Sequence, residues 1–410
     1  MFKIEKIVLA LIFFLLIFSP PIPVFYSGAI LSCLISMTLL FFKGKLNILF
    51  KIISQKNILF IFLLLFIIIS VTIGVGAFHG TYDTSIVKTF INQGISIFSL
   101  FAVLSYALSI TTDLEEIHKL IFYTFTLQSI SILCAMAIPA YHDFVISVSG
   151  FSDHMLHYKG GIRTYSLASS NFFGLGATYG LIYILFLDSL FRYKWFNVKW
   201  FFVFILLVIG TFFTARTGFV GLALGLIMVL FVYTKKVLNP VLVLKIIGLF
   251  FLVITGVYTF LPEEIQLLIT DRIIPYAFEL FLQEDGSVSS SSTNTLMDMW
   301  DIRISLITFL FGDGWYITAT GDYYRHTDVG YLRNILFGGI GYFLLLFLYQ
   351  VYLIKFLFRI KGYKILFCTI LTYTLILQLK GETIGFLIMF QILLLLYVLS
   401  IRNILSHRLL

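Results

Sequence analysis

The chain has 410 residues, of which 60% are hydrophobic and only 12% are charged, and its mean hydropathy is +1.03. Soluble domains carry about 25% charged residues, so this composition excludes a soluble protein of this size. The formal net charge of +8 is not concentrated in a basic surface cluster, which excludes nucleic acid as a partner. We therefore expect a protein that is built largely of membrane-spanning helices.

The predicted elements are apolar runs that recur along the whole chain. A transmembrane helix needs about 20 apolar residues, and these runs are of that order. The first run ends at Ser19–Pro23 without a small-residue cleavage site, so we interpret it as a helix and not as a signal peptide. In chain order, hydropathy predicts about twelve spans: Ile4–Phe18, Val24–Phe42, Ile58–Ala77, Thr89–Ile110, Leu120–Ile138, Phe172–Phe191, Trp200–Phe213, Phe219–Tyr233, Val241–Phe260, Val329–Tyr349, Ile365–Leu379 and Thr383–Ile401.

Lysine and arginine indicate the orientation, because membrane proteins retain them on the cytoplasmic side. With the N-terminus in the cytoplasm, 19 of the 28 basic residues and only five of the 20 acidic residues fall on the inner face. The opposite orientation would invert this bias. We therefore expect both termini in the cytoplasm and one long loop, Leu261–Asp328, on the outer face.

This long loop is a 68-residue polar insertion in a single transmembrane domain, and long loops often carry function. It holds eleven of the 20 acidic residues and three of the 28 basic residues. One amphipathic run opens the loop, and a second starts near Asn294 and closes at Gly312. Both runs could lie along the membrane surface. Arg272 and Arg303 lie on them, either as reserve candidates for ligand binding or as ordinary surface arginines.

Two shorter outer segments also carry candidate residues. Arg216 lies in a tight turn between two spans, where an arginine either snorkels to the headgroups or clamps a phosphate. Arg163 follows two glycines that would let the backbone bend towards a ligand. The same segment, Pro139–Asn171, has residues of metal-ligand type whose spacing matches no zinc signature, so we favour solvated loop residues. These residues are His142, Asp143, Asp153, His154 and His157.

The end of the long loop gathers the sharpest set of candidates. Arg325, His326 and Asp328 fall within four residues, and Arg333 follows about one helical turn later. Histidine and aspartate are common general bases, while arginine binds phosphate; the alternative is an interfacial belt of tyrosines and charges. Glu382, in a tight turn between the last two spans, is a reserve candidate for a base. Four glycines make the span after the loop permissive to close approach: Gly330, Gly338, Gly339 and Gly341.

In these segments the chain resembles the Wzy-type O-antigen polymerases, within the wider family of polymerases and ligases that assemble bacterial surface polysaccharides. The likeness in architecture extends over nearly the whole chain, with about twelve spans, cytoplasmic termini and one large outer loop in the second half. Three short motifs carry the resemblance, namely Gly161–Asn171, Ala215–Gly218, and Gly312–Gly314 followed by His326–Gly330.

The resemblance implies an all-α polytopic domain over residues 1–410 of the GT-C type in the bacterial inner membrane, with residues 261–328 as a periplasmic loop. It implies an inverting, metal-independent glycosyltransferase without a cofactor, which polymerises repeat units carried on undecaprenyl pyrophosphate. Arg163, Arg216 and Arg325 would bind the pyrophosphate, and His326 or Asp328 would act as the catalytic base. The lipid-linked glycans, the bilayer and a chain-length regulator are the expected partners.

Other activities stay open beside polymerisation. An O-antigen ligase, which moves finished glycan to another acceptor, shares the histidine-bearing loop. A lipid-linked oligosaccharide flippase is expected to place charges within its spans, whereas these spans are almost free of charge. No Asp-x-Asp sequence occurs, which argues against a nucleotide-sugar enzyme that holds a metal through that motif. The sequence therefore ranks a polymerase first, a ligase second and a flippase third.

Overall fold

The computed structural model describes residues 2–22, 24–149, 165–237, 291–318 and 320–408, together with residues 259, 266, 267 and 270. Within these ranges the chain is nearly all helical, and β-structure is limited to an isolated antiparallel bridge between Ile317 and Tyr323. The predicted all-α class is therefore confirmed for the described residues. Arg163 and Arg272 lie outside them.

The described ranges contain α-helices that follow the hydropathy pattern. Several begin at a polar side chain that accepts a hydrogen bond from a free backbone N–H of the first turn, as Asp113 does from Glu115 and Asn197 does from Trp200. In chain order the helices are α1 (Phe2–Phe18), α2 (Gly28–Phe42), α3 (Leu46–Ile53), α4 (Lys56–Phe78), α5 (Ser85–Ile110), α6 (Leu114–Ala137), α7 (Pro139–Ser149), α8 (Phe173–Arg192), α9 (Val198–Phe212), α10 (Gly218–Val237), α11 (Ser291–Trp300), α12 (Leu306–Phe311), α13 (Gly330–Arg359), α14 (Lys364–Gln378) and α15 (Ile388–Arg408).

Among the described helices, five are long and apolar enough to cross a membrane by length and composition, namely α4, α5, α6, α8 and α13. Shorter apolar helices include α2, α9 and α14, together with Gly218–Val232 of α10 and Ile388–Ile404 of α15. Each predicted span overlaps a described helix, except Val241–Phe260, which lies outside the described residues apart from Thr259. The count of about twelve spans therefore stays a prediction.

Two helices begin later than hydropathy predicts. Helix α2 starts at Gly28 and not near Val24, because Ser27 caps it by accepting a hydrogen bond from the backbone of the first turn. Helix α15 starts at Ile388 and not at Thr383. The apolar residues before it, Thr383–Leu387, form a loop inside the bundle. Their high hydropathy therefore reflects burial and does not indicate a helix.

The second amphipathic run of the long loop is divided into two helices. Helix α11 ends at Trp300, and Ser305 caps α12 by accepting a hydrogen bond from the Thr308 N–H at 3.0 Å. The run packs against the first turns of α13, while its position along the membrane surface stays a prediction. Its apolar residues Leu296, Met299, Ile302 and Ile304 contact a buried cluster formed by Val329, Leu332 and Leu336.

Both chain ends lie at one end of the helical bundle, where α1 begins and α15 ends; we call it the basic end. Three side-chain contacts join helix ends there: Lys6–Glu116 (2.5 Å), Lys43–Glu5 (2.8 Å) and Gln55–Asn403 (3.1 Å). The opposite end, which we call the loop end, carries the α4–α5 turn, the end of the long loop and the α14–α15 connection. The candidate residues therefore gather away from the chain termini.

Helix α8 forms the centre of the bundle, because nearly all of its side chains are buried. Glycines let α10 approach its backbone closely, as is common between membrane helices. A Cβ at Gly221 would clash with the backbone of Gly180, and a Cβ at Gly176 would clash with Ala215 and Thr217. This packing fixes the turn that contains Arg216 against the first turns of α8.

Candidate functional site

Helix α13 is broken near the loop end, and the break receives part of the long loop. Gly338 and Gly339 have non-helical backbone angles, with φ +70° at Gly339. The carbonyls of Leu336 and Phe337 accept hydrogen bonds from the backbone N–H groups of Asp313 and Gly314, at 2.6 and 3.0 Å. The motif at 312–314 is therefore a docking segment that satisfies carbonyls left free by the helix break.

Two glycines allow this docking because the backbones nearly touch. A Cβ at Gly339 would clash with the backbone of Leu310, and a Cβ at Gly312 would clash with the backbone of Phe337. Gly312 also has φ +80°, a left-handed conformation that is costly for other residues. The predicted permissiveness of this helix to close approach is confirmed at Gly339.

A second anchor fixes the following residues of the loop. The Oδ2 atom of Asp83, in the α4–α5 turn, accepts hydrogen bonds from the backbone N–H groups of Tyr316 (2.7 Å) and Ile317 (3.0 Å). Burial raises the pKa of Asp83, but hydrogen bonds from Ser85, Ile317 and Tyr316 outweigh it and lower the pKa overall. The charged carboxylate therefore holds Tyr316 in place, with the Tyr316 side chain directed into the protein at 7% exposure.

Tyr316 leads to a group of charged and aromatic residues that we call the Arg333–Glu382 cluster (Tyr316, Tyr323, Arg333 and Glu382). The side chains of Arg333 and Glu382 are 7% and 2% exposed, and Arg333 Nη1 lies 3.7 Å from Glu382 Oε2. Tyr316 donates its hydroxyl to Glu382 Oε2. The Arg333 guanidinium carbon lies 4.0 Å from the ring centre of Tyr316 and 3.7 Å from that of Tyr323. The guanidinium is thus held between two aromatic faces.

Several polar atoms of this cluster lack a hydrogen-bond partner among the described residues. They are Nε and Nη2 of Arg333, Oε1 of Glu382, and both side-chain amide atoms of the neighbouring Asn334. Buried polar groups are almost always hydrogen-bonded, and each exception needs an explanation. Burying an ion pair is costly unless further bonds complete it. An ordered water or a polar ligand can complete these donors and acceptors.

The electrostatics of the cluster suit proton transfer beside an anion. Burial raises the pKa of Glu382, and the nearby charge of Asp328 adds to this effect, while Arg333 and the Tyr316 hydroxyl oppose it. A carboxyl group with a raised pKa is a better general base at neutral pH. Burial and the Glu382 carboxylate also raise the pKa of Tyr316, so its phenol stays protonated and donates. Arg333 offers a planar fork of donors that matches phosphate oxygens.

Glutamine side chains from three helices hold the loop that carries Glu382. Gln378 of α14 and Gln350 of α13 supply carbonyl oxygens to the backbone of this loop, and Gln391 of α15 donates to its carbonyl at Thr383. The bonds to the backbone N–H groups are Thr383 to Gln378 (2.7 Å), Ile384 to Gln378 (2.9 Å) and Gly385 to Gln350 (3.1 Å). This scaffold explains why an apolar segment remains non-helical and why Glu382 is fixed.

The end of the long loop divides into an exposed part and a part near the cluster. Arg325 is exposed, pairs with Asp313 at 3.0 Å and donates to the backbone carbonyl of Arg303. His326 is also exposed, and both Arg325 and His326 adopt left-handed φ values. Asp328 is half-buried; burial raises its pKa, and Arg333 and Lys380 oppose the shift. Of the predicted loop residues, Asp328 is therefore the one whose charge interacts with the cluster.

The remaining sequence candidates lie at other positions. Arg216 is half-buried in the α9–α10 turn at the loop end, and Arg303 is exposed between α11 and α12. The His142 ring lies 4.5 Å from the Tyr165 ring, centre to centre. The described ranges contain no group of three or more metal-ligand side chains. Asp153, His154 and His157, which complete the alternative metal interpretation, lie outside those ranges.

A cavity of about 530 Å³ opens beside the cluster at the loop end. It lies among the α1–α2 connection, the start of α5 and the residues that precede α8 and α15, and the described residues that line it carry no charged side chain. Its polar lining residues are Ser19, Ser27, Thr89, Asn92, Ser96, Ser169 and Ser170. Phe386 lines the cavity and packs 6.1 Å from the Tyr316 ring, centre to centre. The cavity size falls in the range of roughly 300–1,000 Å³ that is typical of small-molecule sites.

Sequence reasoning named Arg333 and Glu382 only as reserves and did not identify Tyr316. The signal that could have identified them as leading candidates is a charge at the edge of an otherwise apolar span, because such a charge is costly and is usually paired or functional. Tyr316 carries no such signal, because tyrosine is common wherever membrane proteins meet water. No protein-family model, curated protein or solved structure matches this chain, so the interpretation of the site depends on its own chemistry.

Proposed function

We propose that this protein is a membrane-embedded glycosyltransferase that polymerises undecaprenyl-pyrophosphate-linked repeat units into O-antigen or capsular polysaccharide. In this proposal the chain crosses the bacterial inner membrane about twelve times, and its loop end faces the periplasm. The observation that carries the proposal is the Arg333–Glu382 cluster, which places an incomplete arginine fork beside a buried carboxylate.

The proposed reaction is a single displacement at a sugar carbon. A hydroxyl of the acceptor repeat unit attacks the anomeric carbon of the donor glycan and forms the new glycosidic C–O bond. The bond between that carbon and the pyrophosphate oxygen breaks, and undecaprenyl pyrophosphate leaves with the electron pair. The configuration inverts, and a base on the protein takes the proton of the acceptor hydroxyl. The reaction thus needs a base, a cationic site for the leaving group and a place for sugars.

The described residues can supply these three parts. Glu382 Oε2 is occupied by the Tyr316 hydroxyl, which leaves Oε1 as the atom that accepts the proton. Arg333 stabilises the negative charge that develops on the leaving pyrophosphate, an effect that is strong in a site shielded from water. Asp328 interacts with both groups and is the second candidate base. The cavity next to Phe386 has uncharged polar groups that suit neutral sugars.

Two arguments rank the alternatives behind polymerisation in this proposal. A ligase would use the same displacement with another acceptor, so its active centre would contain the same kinds of residues as that of a polymerase. For this alternative, the architectural resemblance is what favours the polymerase. A flippase is expected to need charges along a path through its spans. The described buried charges lie instead at the two ends of the bundle, with Arg333 and Glu382 at the loop end and Asp188, paired with the half-buried Arg192, at the basic end.

Surface-polysaccharide profiling on gels tests this function. A strain that lacks the protein should show a single repeat unit on its acceptor and no ladder, because transport and ligation still operate. Complementation with the wild-type protein should restore the ladder, and Glu382→Gln should not. A normal ladder without the protein, or an acceptor that carries no repeat unit at all, would overturn the proposal; the second result indicates a ligase or a flippase.

A further inference from the structure

The short helix α12 has apolar side chains on its outside and a polar side chain on its inside. Leu306 and Ile307 are 74% and 72% exposed, and Phe311 is also exposed, whereas Thr308 is only 6% exposed. The Thr308 hydroxyl donates to the carboxylate of Asp313 at 2.8 Å, within the docking segment. A helix on a water-exposed surface shows the opposite distribution, because its apolar residues face the protein. The inverted distribution of α12 is that of a segment in contact with lipid.

Helix α11, which belongs to the same loop, presents polar side chains to the outside. Asn294 and Asp298 are exposed, while Leu296 and Met299 pack against the buried cluster at the start of α13. Residues 305–312, by contrast, include no charged side chain. The two helices of this run therefore suit different surroundings, water for α11 and hydrocarbon for α12.

The position of α12 along the bundle coincides with the boundary of a bilayer. Helix α12 meets α13 at the break, where a Cβ on Gly339 would clash with the backbone of Leu310. Twenty residues of α13 separate Gly339 from the exposed Arg359 at the basic end, which is about 30 Å of helix, or about 28 Å at a tilt of about 20°. The hydrocarbon core of a bilayer is about 30 Å thick. With Arg359 at one hydrocarbon boundary, α12 lies at the other.

The exposed face of α12 also continues an apolar surface of two long helices. Helix α4 has 23 residues, or about 34 Å of helix, and ends beside α12, where Nε2 of His79 lies 3.1 Å from the carbonyl oxygen of Phe311. Among the five long apolar helices α4 is the least buried, and it exposes Phe66 and Phe78. On α13, Leu348 is exposed below the break. Large exposed apolar surfaces mark protein or membrane contacts, and this continuity with α4 and α13 favours the membrane.

We propose that α12 inserts into the bilayer leaflet at the loop end and that its exposed side chains contact lipid acyl chains. The partner is hydrocarbon and not a charged headgroup, because α12 offers no charged side chain to one. The docking segment follows α12 directly, so this contact fixes the depth at which the long loop joins α13. The inference requires only that the protein lies in a bilayer and is independent of the proposed transferase activity.

Nitroxide spin labels on single cysteines test the surroundings of α12 in the full-length protein. The vesicles contain phosphatidylethanolamine and phosphatidylglycerol, and electron paramagnetic resonance compares label collisions with oxygen, which concentrates in hydrocarbon, and with a water-soluble nickel chelate. The labelled variants are Leu306→Cys and Ile307→Cys, with Leu348→Cys as the lipid reference and Asp298→Cys as the water reference; all four positions are exposed. The native cysteines are first removed by Cys33→Ala, Cys134→Ala and Cys368→Ala.

Labels at Leu306 and Ile307 should collide more with oxygen than with the nickel chelate, as at Leu348, whereas the preference should reverse at Asp298. A preference for nickel at Leu306 and Ile307 would place α12 in water and overturn the proposal. Low collision rates with both reagents would show that α12 is covered by protein, either a second copy or another segment of this chain, and would also overturn it.

The wild-type protein gives a second measurement that needs no variant. A phospholipid with a photoactivatable diazirine in its acyl chain is cross-linked in the same vesicles, and tryptic peptides are sequenced by mass spectrometry. Cleavage after Arg303 and Arg325 yields a peptide that carries α12 together with exposed polar residues such as Thr320 and Asp322. Cross-links should fall on residues 306–311 and not on residues 320–325. Their absence from residues 306–311 contradicts the proposal even where the labelled variants fold poorly.

Discussion

Removal of the Glu382 charge should abolish polymerisation, and the structure allows this effect to be separated from a loss of stability. Glu382→Gln keeps the size of the side chain but leaves Arg333 without its counter-charge at 7% side-chain exposure. Breaking one partner of a buried ion pair costs about 3–5 kcal/mol, whereas replacing both partners by apolar residues is often neutral. Burial raises the pKa of Glu382 despite the nearby Arg333, so the folded state favours the neutral side chain, and we expect Glu382→Gln to cost well below that range.

The double variant Arg333→Met/Glu382→Leu distinguishes a structural pair from an active centre. Its melting temperature in detergent should stay close to the wild-type value, because no buried charge is left alone. Its polysaccharide ladder should still be absent, because the arginine fork and the base are gone. Full-length ladders from this variant would refute our reasoning. The control Asp188→Leu/Arg192→Met removes the buried pair at the basic end and should retain the ladder.

The pH dependence of the same residue gives an independent measurement with extracted lipid-linked repeat units. Because burial raises the pKa of Glu382, the polymerisation rate should rise with pH through that raised value, as the carboxylate becomes available as a base. Stability should change in the opposite sense. The folded state binds this proton more tightly, so its contribution is complete below the unfolded pKa of about 4.3 and is lost as pH rises through the folded pKa. Glu382→Gln should remove both dependences.

Three further predictions concern the segments that build the site. Gly339→Ala should lower stability by about 2 kcal/mol or more, because a Cβ would meet the backbone of α12 in a left-handed conformation,; Gly341→Ala has open space around it and should be close to neutral in the same melting experiment. Asp83→Asn should lower the free energy of unfolding by about 1.5–3 kcal/mol, because a neutral amide oxygen binds the loop backbone more weakly. Since the pKa of Asp83 is lowered in the folded protein, this stability difference between wild type and variant should disappear as the pH falls through that folded-state pKa. Asp328→Asn should shorten the polysaccharide ladder more than His326→Ala, because Asp328 interacts with Arg333 while the imidazole is exposed; the reverse order on gels would restore histidine as the favoured base.

The helices could be predicted from the sequence because apolar runs of membrane length have few alternatives to a helix. The break in α13 could be anticipated in part, since the glycines at 338 and 339 indicated close approach. The late start of α15 could not be anticipated, because Thr383–Leu387 is as apolar as a membrane-spanning helix. Its backbone leaves the helical conformation because glutamine side chains from neighbouring helices bind its N–H groups, and such long-range partners are not visible in a single sequence.

The candidate site shows the same limit more clearly. Sequence proximity drew attention to Arg325, His326 and Asp328, which lie within one turn of each other. The structure pairs Arg333 with Glu382 instead, and these residues are 49 positions apart. Their pairing requires that α13 and the α14–α15 connection meet at the loop end. Arg325, by contrast, is engaged by Asp313 of its own loop, which favours a role in loop structure.

Two ion pairs of the described chain, Asp188 with the half-buried Arg192 and the buried pair of Arg333 and Glu382, differ in how completely their hydrogen bonds are satisfied. Asp188 and Arg192 form two hydrogen bonds, at 3.0 and 2.8 Å, and further bonds from Tyr397 and to the carbonyl of Gly362 complete both groups. Arg333 and Glu382 meet only at 3.7 Å, and each keeps polar atoms without a described hydrogen-bond partner. A buried pair contributes to stability only when its geometry is good and its remaining bonds are satisfied. The Asp188–Arg192 pair meets this condition, and the Arg333–Glu382 pair does not. In the proposed reaction, the guanidinium nitrogens of Arg333 without a described partner would bind the leaving pyrophosphate, and Oε1 of Glu382 would accept the proton of the acceptor hydroxyl.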